Sequence, residues 1–324
     1  MQLSSLVGRL PYPSQAVQRV LAVAAIITQG GIGVTGSVVR VTGSGLGCPT
    51  WPQCFPGSMF PVEHPEYAML NQWIEYGNRL LTIVVVIVAA LCVLAAWRIV
   101  LDHPGRKRLL ALAWVMPGGV VAQAVIGGLT VLAELLWWTV AIHFLVSAVL
   151  VWMAVVLLHA FGEGDEPPRS RIPQASRPVL ITLVVALFGL LVAGTAVTGA
   201  GPHGGDPDVE RFDAPVETLA DIHAGLLVLF LAVLAVLGVQ WWRGGVARSL
   251  WVRYGVVWAV SLAQGVLGSV QYRLGVPEGL VSLHVLGSAL VIIATAALWC
   301  AARDRGAAVS GEPAARRDHA LGTA

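Results

Sequence analysis

Residues 109–159 read LLALAWVMPGGVVAQAVIGGLTVLAELLWWTVAIHFLVSAVLVWMAVVLLH, a stretch with one carboxylate, Glu134, and no lysine or arginine. An apolar run needs roughly 20 residues to cross a ~30 Å hydrocarbon core. Two such runs lie here, about 109–132 and 138–159. Reading outward gives six more, about 17–38, 72–97, 178–199, 217–241, 251–271 and 280–301. The whole chain agrees: 324 residues, 56% hydrophobic, 12% charged, mean hydropathy +0.76, where a soluble domain carries about 25% charge. This composition excludes a disordered chain, a nucleic-acid binder and an ordinary cytoplasmic enzyme. Four cysteines are too few for a disulfide scaffold at this length. The predicted fold class is an all-α membrane protein with eight transmembrane helices. The first run is expected to be retained, since a polar, Pro-containing segment precedes it and no small-residue cleavage site follows.

Lysine and arginine orient the spans. Arg9, Arg19, Arg98, Arg106, Lys107, Arg108, Arg169, Arg171, Arg177, Arg243, Arg248, Arg253, Arg303, Arg305, Arg316 and Arg317 fall on one side, sixteen of the twenty basic residues. Arg40, Arg79, Arg211 and Arg273 fall on the other. Both termini are therefore expected in the cytoplasm of a cell-membrane protein, with long outer loops at about 39–71 and 200–216. The sequence at 161–177, FGEGDEPPRSRIPQASR, reads as a solvated cytoplasmic linker, and 303–324 as a disordered tail.

An internal repeat divides the chain. Ala122-Gln123 through Gly127 recurs as Ala263-Gln264 through Gly268, and His143 and His284 each follow their glutamine by twenty residues, all at an offset of 141. Upstream, Val41–Gly45 echoes Val197–Gly201, and Glu75–Leu81 lines up with Ala220–Leu226. The expected organisation is two tandem four-helix units, 17–160 and 178–302, repeated in parallel about an axis along the membrane normal.

Of eight histidines, His64, His103, His159, His203 and His319 fall in loops, at a helix end or in the tail, where a polar side chain facing water is the default expectation. His143, His223 and His284 instead lie five or six residues inside the outer ends of their spans, roughly 8–9 Å deep. Asn78 takes the fourth equivalent position. A polar side chain at such depth is costly and usually functional, although a lone imidazole can simply bond a neighbouring helix. Facing helices that each present one imidazole can hold a haem iron by its axial positions, whereas zinc wants three or four ligands within reach. Each half offers at most two. The C-terminal unit then offers a closed pair, His223 and His284, and the N-terminal unit His143 opposite Asn78, an amide that ligates iron poorly.

Glu75 lies one turn before Asn78 on the same helix face. Beside a haem it could accept a proton or stabilise a developing cation, or it could simply favour a helix N-terminus. Ala220 at the matching place confines this carboxylate to one half. Arg79 could pair with haem propionates or snorkel. Cys48 and Cys54 lie in an outer, oxidising loop where a disulfide is expected, structural or electron-exchanging. Cys92 and Cys300 read as small apolar packing residues.

Together, the VTGSGLGCPTWPQC loop, the segment Ile74-Glu75-Tyr76-Gly77-Asn78-Arg79-Leu80-Leu81, the run Ile126–Val131 with His143, and the repeat with His223 and His284 resemble the heme A synthase family. The resemblance spans about 17–301, and Gly-Asn-Arg is similar to actinobacterial members. It implies oxidation of the C8 methyl of heme O to the formyl of heme A for cytochrome oxidase. It places a substrate-haem site (Asn78, Arg79, His143) in the first unit and a haem b cofactor (iron ligands His223 and His284) in the second. It further implies an essential glutamate at Glu75 and a Cys48–Cys54 loop disulfide. Many members carry histidine where this chain has Asn78, so ligation by His143 alone, or with water, is expected here. The implied partners are heme O and the bilayer, with heme O synthase, an electron donor or acceptor and a second copy of the chain as further candidates. The alternative function is a diheme b-type transmembrane electron carrier that does no chemistry on haem.

Overall fold

Ser14 starts the first long helix, its hydroxyl accepting the Val17 amide at 3.3 Å in place of a missing intrahelical partner. A computed structural model describes residues 2–307 and contains, among them, nine helices. They are α1 (Gln2–Gly8), α2 (Gln15–Val41), α3 (Met69–Asp102), α4 (Lys107–Leu132), α5 (Trp137–Gly162), α6 (Ser176–Ala200), α7 (Val216–Gly244), α8 (Arg248–Arg273) and α9 (Glu278–Ala301). Helices α2 to α9 are long and apolar enough to cross a membrane, and each of the eight predicted runs falls inside one. Helix α1 has no counterpart among those runs; it packs against α3 and buries Val7.

The helices have two ends. The loop end carries 42–68 and 201–215; the linker end carries the α3–α4 and α7–α8 turns and 163–175. In the first four-helix set, α2–α5, each helix packs on the next and α5 closes back on α2. In the second, α6 packs closely on α7 and α8 on α9, but α7 meets α8, and α6 meets α9, only sparsely. Helix α9 also packs on α2 and α5, and α5 on α6, where Ala148, Val151 and Ile292 are buried together.

The largest apolar core of each set lies in its linker-side half. Ala25, Cys92, Ala96, Met116 and Leu157 belong to one buried core, and Leu183, Phe230, Leu234, Trp241 and Leu298 to the other. Cys92 and Cys300 are buried thiols, as expected. Neither core reaches the level of His143, His223 and His284.

The stretch expected to be a solvated linker is tied down. Strand β1 (Arg169–Ser170) pairs antiparallel with β2 (Arg303–Asp304), and Gly164 donates to Gly306 O at 2.8 Å. Buried Arg106 pairs with Asp165 at 3.0 Å and Arg108 with Glu163 at 3.1 Å. The predicted tail thus begins with ordered pairing at 303–307, because backbone groups of the linker find partners there; its remainder, 308–324, lies outside the described residues.

The α4–α5 and α8–α9 turns are built alike. Leu135 N donates to Thr130 O and Val276 N to Gln271 O, both at 2.9 Å. Two successive residues in each turn are left-handed: Glu134 and Leu135 with φ 52° and 58°, Gly275 and Val276 with φ 76° and 62°. Only glycine takes that conformation without steric cost, about 1 kcal/mol or more for other residues. Glu134→Gly is therefore expected to raise the melting temperature in detergent by the equivalent of up to ~1 kcal/mol. A lowered melting temperature would show that the Glu134 side chain contributes more than its backbone strain costs.

Candidate functional site

His223 on α7 and His284 on α9 face each other with ring centroids 6.3 Å apart and planes inclined by 60°. An iron about 2 Å from one nitrogen of each ring would set the centroids roughly 6 Å apart, so the spacing fits a shared axial pair. His223 Nδ1 lies 3.0 Å from Leu190 O on α6. As a donor there it leaves Nε2 as the ligating nitrogen. Glycines make room for both rings: a Cβ on Gly194 or on Gly268 would stand 3.0 Å from Cε1 of His223 or His284. Gln264 on α8 donates to His284 O at 2.7 Å.

The first set repeats part of this pattern. A Cβ on Gly127 would stand 3.1 Å from His143 Cε1, and Gln123 donates to His143 O at 3.1 Å and to the Ser147 hydroxyl. The ring nitrogens Nδ1 of His143 and His284 are buried without a partner among the described residues. Asn78 differs from a histidine in what it bonds: its Oδ1 accepts from the Thr35 hydroxyl on α2 at 2.6 Å. No group of three or more His, Cys, Asp or Glu side chains poised for a metal ion occurs among the described residues.

Glu75 and Arg79 occupy successive turns of α3 and form one clasp. Glu75, 5% exposed, accepts from Cys48 N through Oε2 at 2.7 Å. Its Oε1 accepts from Arg79 Nε at 3.1 Å and from Nη2 at 2.5 Å. The rest of the guanidinium donates to loop carbonyls, to Thr50 O at 3.0 Å, Gln53 O at 3.3 Å and Cys48 O at 2.9 Å. Cys48 and Cys54 are joined in a disulfide with Cα atoms 4.3 Å apart. Trp51, inside the ring so closed, lies against Gly128 on α4, where a Cβ would overlap its indole. Gly128 adjoins Gly127, which faces His143. The loop thereby carries contact from Glu75 on α3 to the histidine-bearing side of the bundle.

The donors of Arg79 are thus spent on Glu75 and on the loop carbonyls. Of the loop and end histidines, His64, His103, His159 and His203 are half-buried rather than exposed, because each packs where chain segments meet. His64 stacks on Phe55 at 5.3 Å, His103 meets Tyr12 edge-on, and His203 Nε2 sits 2.8 Å from Val276 O. His319 lies outside the described residues. Gln72 escaped the sequence reading: fully buried, it accepts from Val62 N at 3.0 Å and donates to Tyr67 O at 3.0 Å. Its position three residues before Glu75, with Arg79 four after, made a polar helical stripe that could have flagged it.

These features define a multi-pass membrane bundle with a facing histidine pair, a third histidine against a glycine, and a carboxylate–arginine clasp over one end. Residues 19–202 match the family described as COX15-CtaA, cytochrome oxidase assembly protein, and the chain belongs to that family. It is similar to the heme A synthase of Geobacillus thermodenitrificans, 31% identical over 135 residues, 41% of this chain and 39% of that protein. It is also similar to the heme A synthase of Geobacillus kaustophilus (strain HTA426), 28% identical over 151 residues, 46% of this chain and 44% of the relative. The match therefore spans less than half the length of either relative.

A single-point ammonium cannot reproduce the guanidinium fork. Arg79→Lys is expected to cost roughly 1–3 kcal/mol and to loosen the loop, read as faster reduction of the Cys48–Cys54 bond by a membrane-impermeant phosphine. An unchanged reduction rate would show that the clasp does not hold the loop.

Proposed function

We propose that the chain is a heme A synthase, oxidising the C8 methyl of heme O to the formyl of heme A. The observation that carries this reading is the His223–His284 pair at the loosely packed level of a bundle in this family, with His143 at the matching position 141 residues before His284. On this reading the two four-helix sets are parallel repeats, both termini are cytoplasmic, and the loop end faces the outside of the cell membrane.

The first set takes the substrate. His143 holds the heme O iron from one side. Asn78, bonded to Thr35, shapes the opposite wall, and the weakly held face lets substrate and product exchange. Turning the methyl into a formyl takes up one oxygen from water and gives up four electrons and four protons; Glu75 is the carboxylate available to accept a proton, and Arg79 and Cys48 N fix its oxygens and hold the disulfide loop beside it. In the second set His223 and His284 would hold haem b, their rings and turns oriented by Leu190 O and Gln264. Haem b, when bound, supplies one-electron relay between the substrate site and an external acceptor.

Extraction of haems from the purified full-length protein tests the reading. The wild type is expected to yield heme A together with haem b, and Glu75→Ala to yield heme O with heme A reduced by ~100-fold or more. Haem b alone in both proteins would favour a diheme electron carrier and overturn the enzyme. His223→Ala and His284→Ala are each expected to abolish the low-spin haem b spectrum, which Asn78→Ala preserves. Its survival in both histidine variants would reverse the assignment of the two sets.

A further inference from the structure

The second set is two helix pairs with a slot between them. α6–α7 and α8–α9 are each tightly packed, while contact across α7–α8 and α6–α9 is sparse. His223 comes from one pair and His284 from the other, so the axis joining their rings crosses the slot. A flat macrocycle held by that pair would fit the slot, towards the two sparse seams.

One of those seams is a groove of about 460 Å³ between α7 and α8, a size suited to a small-molecule ligand. Its walls are apolar on the α7 side, where Ala224 and Leu227 follow His223, and are completed on α8 by Gly265, Val266 and Ser269. A Cβ on Gly265 would stand 2.8 Å from Leu227, so this glycine sets the width of the seam. At the loop end the groove is lined by Arg273, the last residue of α8 and its one cationic lining residue. Arg273 lies five residues beyond Gly268, the glycine facing His284, or about 7–8 Å along the helix. Among the described residues it forms no ion pair. The residue 141 positions earlier is Leu132, so this charge belongs to the second set alone.

We propose that the α7–α8 groove seats one edge of the haem held by His223 and His284, with Arg273 pairing a propionate carboxylate at its loop end. The proposal rests on the haem b reading of this set. It explains why a boundary arginine sits over an apolar groove instead of beside an acidic side chain. An arginine that only snorkels to the interface would be indifferent to the ligand. A guanidinium on a carboxylate makes charge-assisted, two-pronged bonds that strengthen binding and raise the haem potential by offsetting the propionate charge.

The full-length protein, purified with its haem, tests this with Arg273→Gln, Val266→Trp and, at the linker end, Arg253→Gln as a control, circular dichroism confirming helix content in each. Arg273→Gln is expected to keep the bis-histidine spectrum, to lose haem to apomyoglobin about ten-fold faster than wild type, and to show a more negative midpoint potential. Val266→Trp, which fills the groove, is expected to bind several-fold less haem. Wild-type transfer rate and potential in Arg273→Gln, or wild-type haem content in Val266→Trp, would overturn the groove assignment while leaving the histidine pair intact. A wild type whose haem spectrum survives His223→Ala, or which binds no haem b, would instead overturn the haem b reading itself, and the groove with it.

Discussion

A carboxylate at the edge of hydrocarbon has no water to fall back on, and Glu75 meets that constraint by accepting from Arg79 and from Cys48 N. The pairing is self-reinforcing. Arg79 neutralises the buried charge, and the donors it has left reach three carbonyls of the loop between α2 and α3. Removing either partner would strand the other, the situation in which buried ion pairs matter most. Because the carboxylate and the loop are fixed together, Trp51 is held against α4 one residue from the glycine that admits His143. The clasp thus anchors the loop to α3.

The same economy of polar groups governs the rest of the bundle. Between membrane helices, association rests on close packing and on side chains that bond across the gap. Here packing is concentrated at the linker end, where Phe230, Leu234 and Trp241 or Met116 and Leu157 fill the interior. At the histidine level the work passes to polar cross-links: Gln123 to His143 O, Gln264 to His284 O, Thr35 to Asn78. One end of each set is therefore a rigid base, and the other is a level where helices are held apart at defined distances. That division suits a ligand that must enter between helices without unfolding them.

Much of this was legible in the residues. Span positions follow from run length alone, since hydrocarbon allows few alternatives to an unbroken helix. Equal histidine depth follows from spacing, because one helical rise converts sequence number to height. The disulfide followed from two cysteines in one loop. What stayed hidden depends on backbone atoms that carry no sequence signal. Arg79 is spent on carbonyls of residues 48, 50 and 53, and any sequence would offer carbonyls there. The β1–β2 clip is two residues per strand, too short for a period of two to register. Arg273 was counted only as an exception to the charge bias, since its groove exists only once α7 and α8 diverge.

The difference between the two sets follows from the same geometry. In the first, α2–α5 form a closed ring, and Asn78, at the position matching a histidine of the second set, is an amide already bonded to α2. In the second, helix pairs stand apart and two imidazoles face each other across the seam. If both sets held haem as proposed, two histidine ligands would favour permanent binding, because release would require both bonds to open together, whereas one histidine would permit release through a single bond. On the proposed reading, keeping one haem while exchanging another would need that inequality, and Asn78, its amide tethered to Thr35, would supply it.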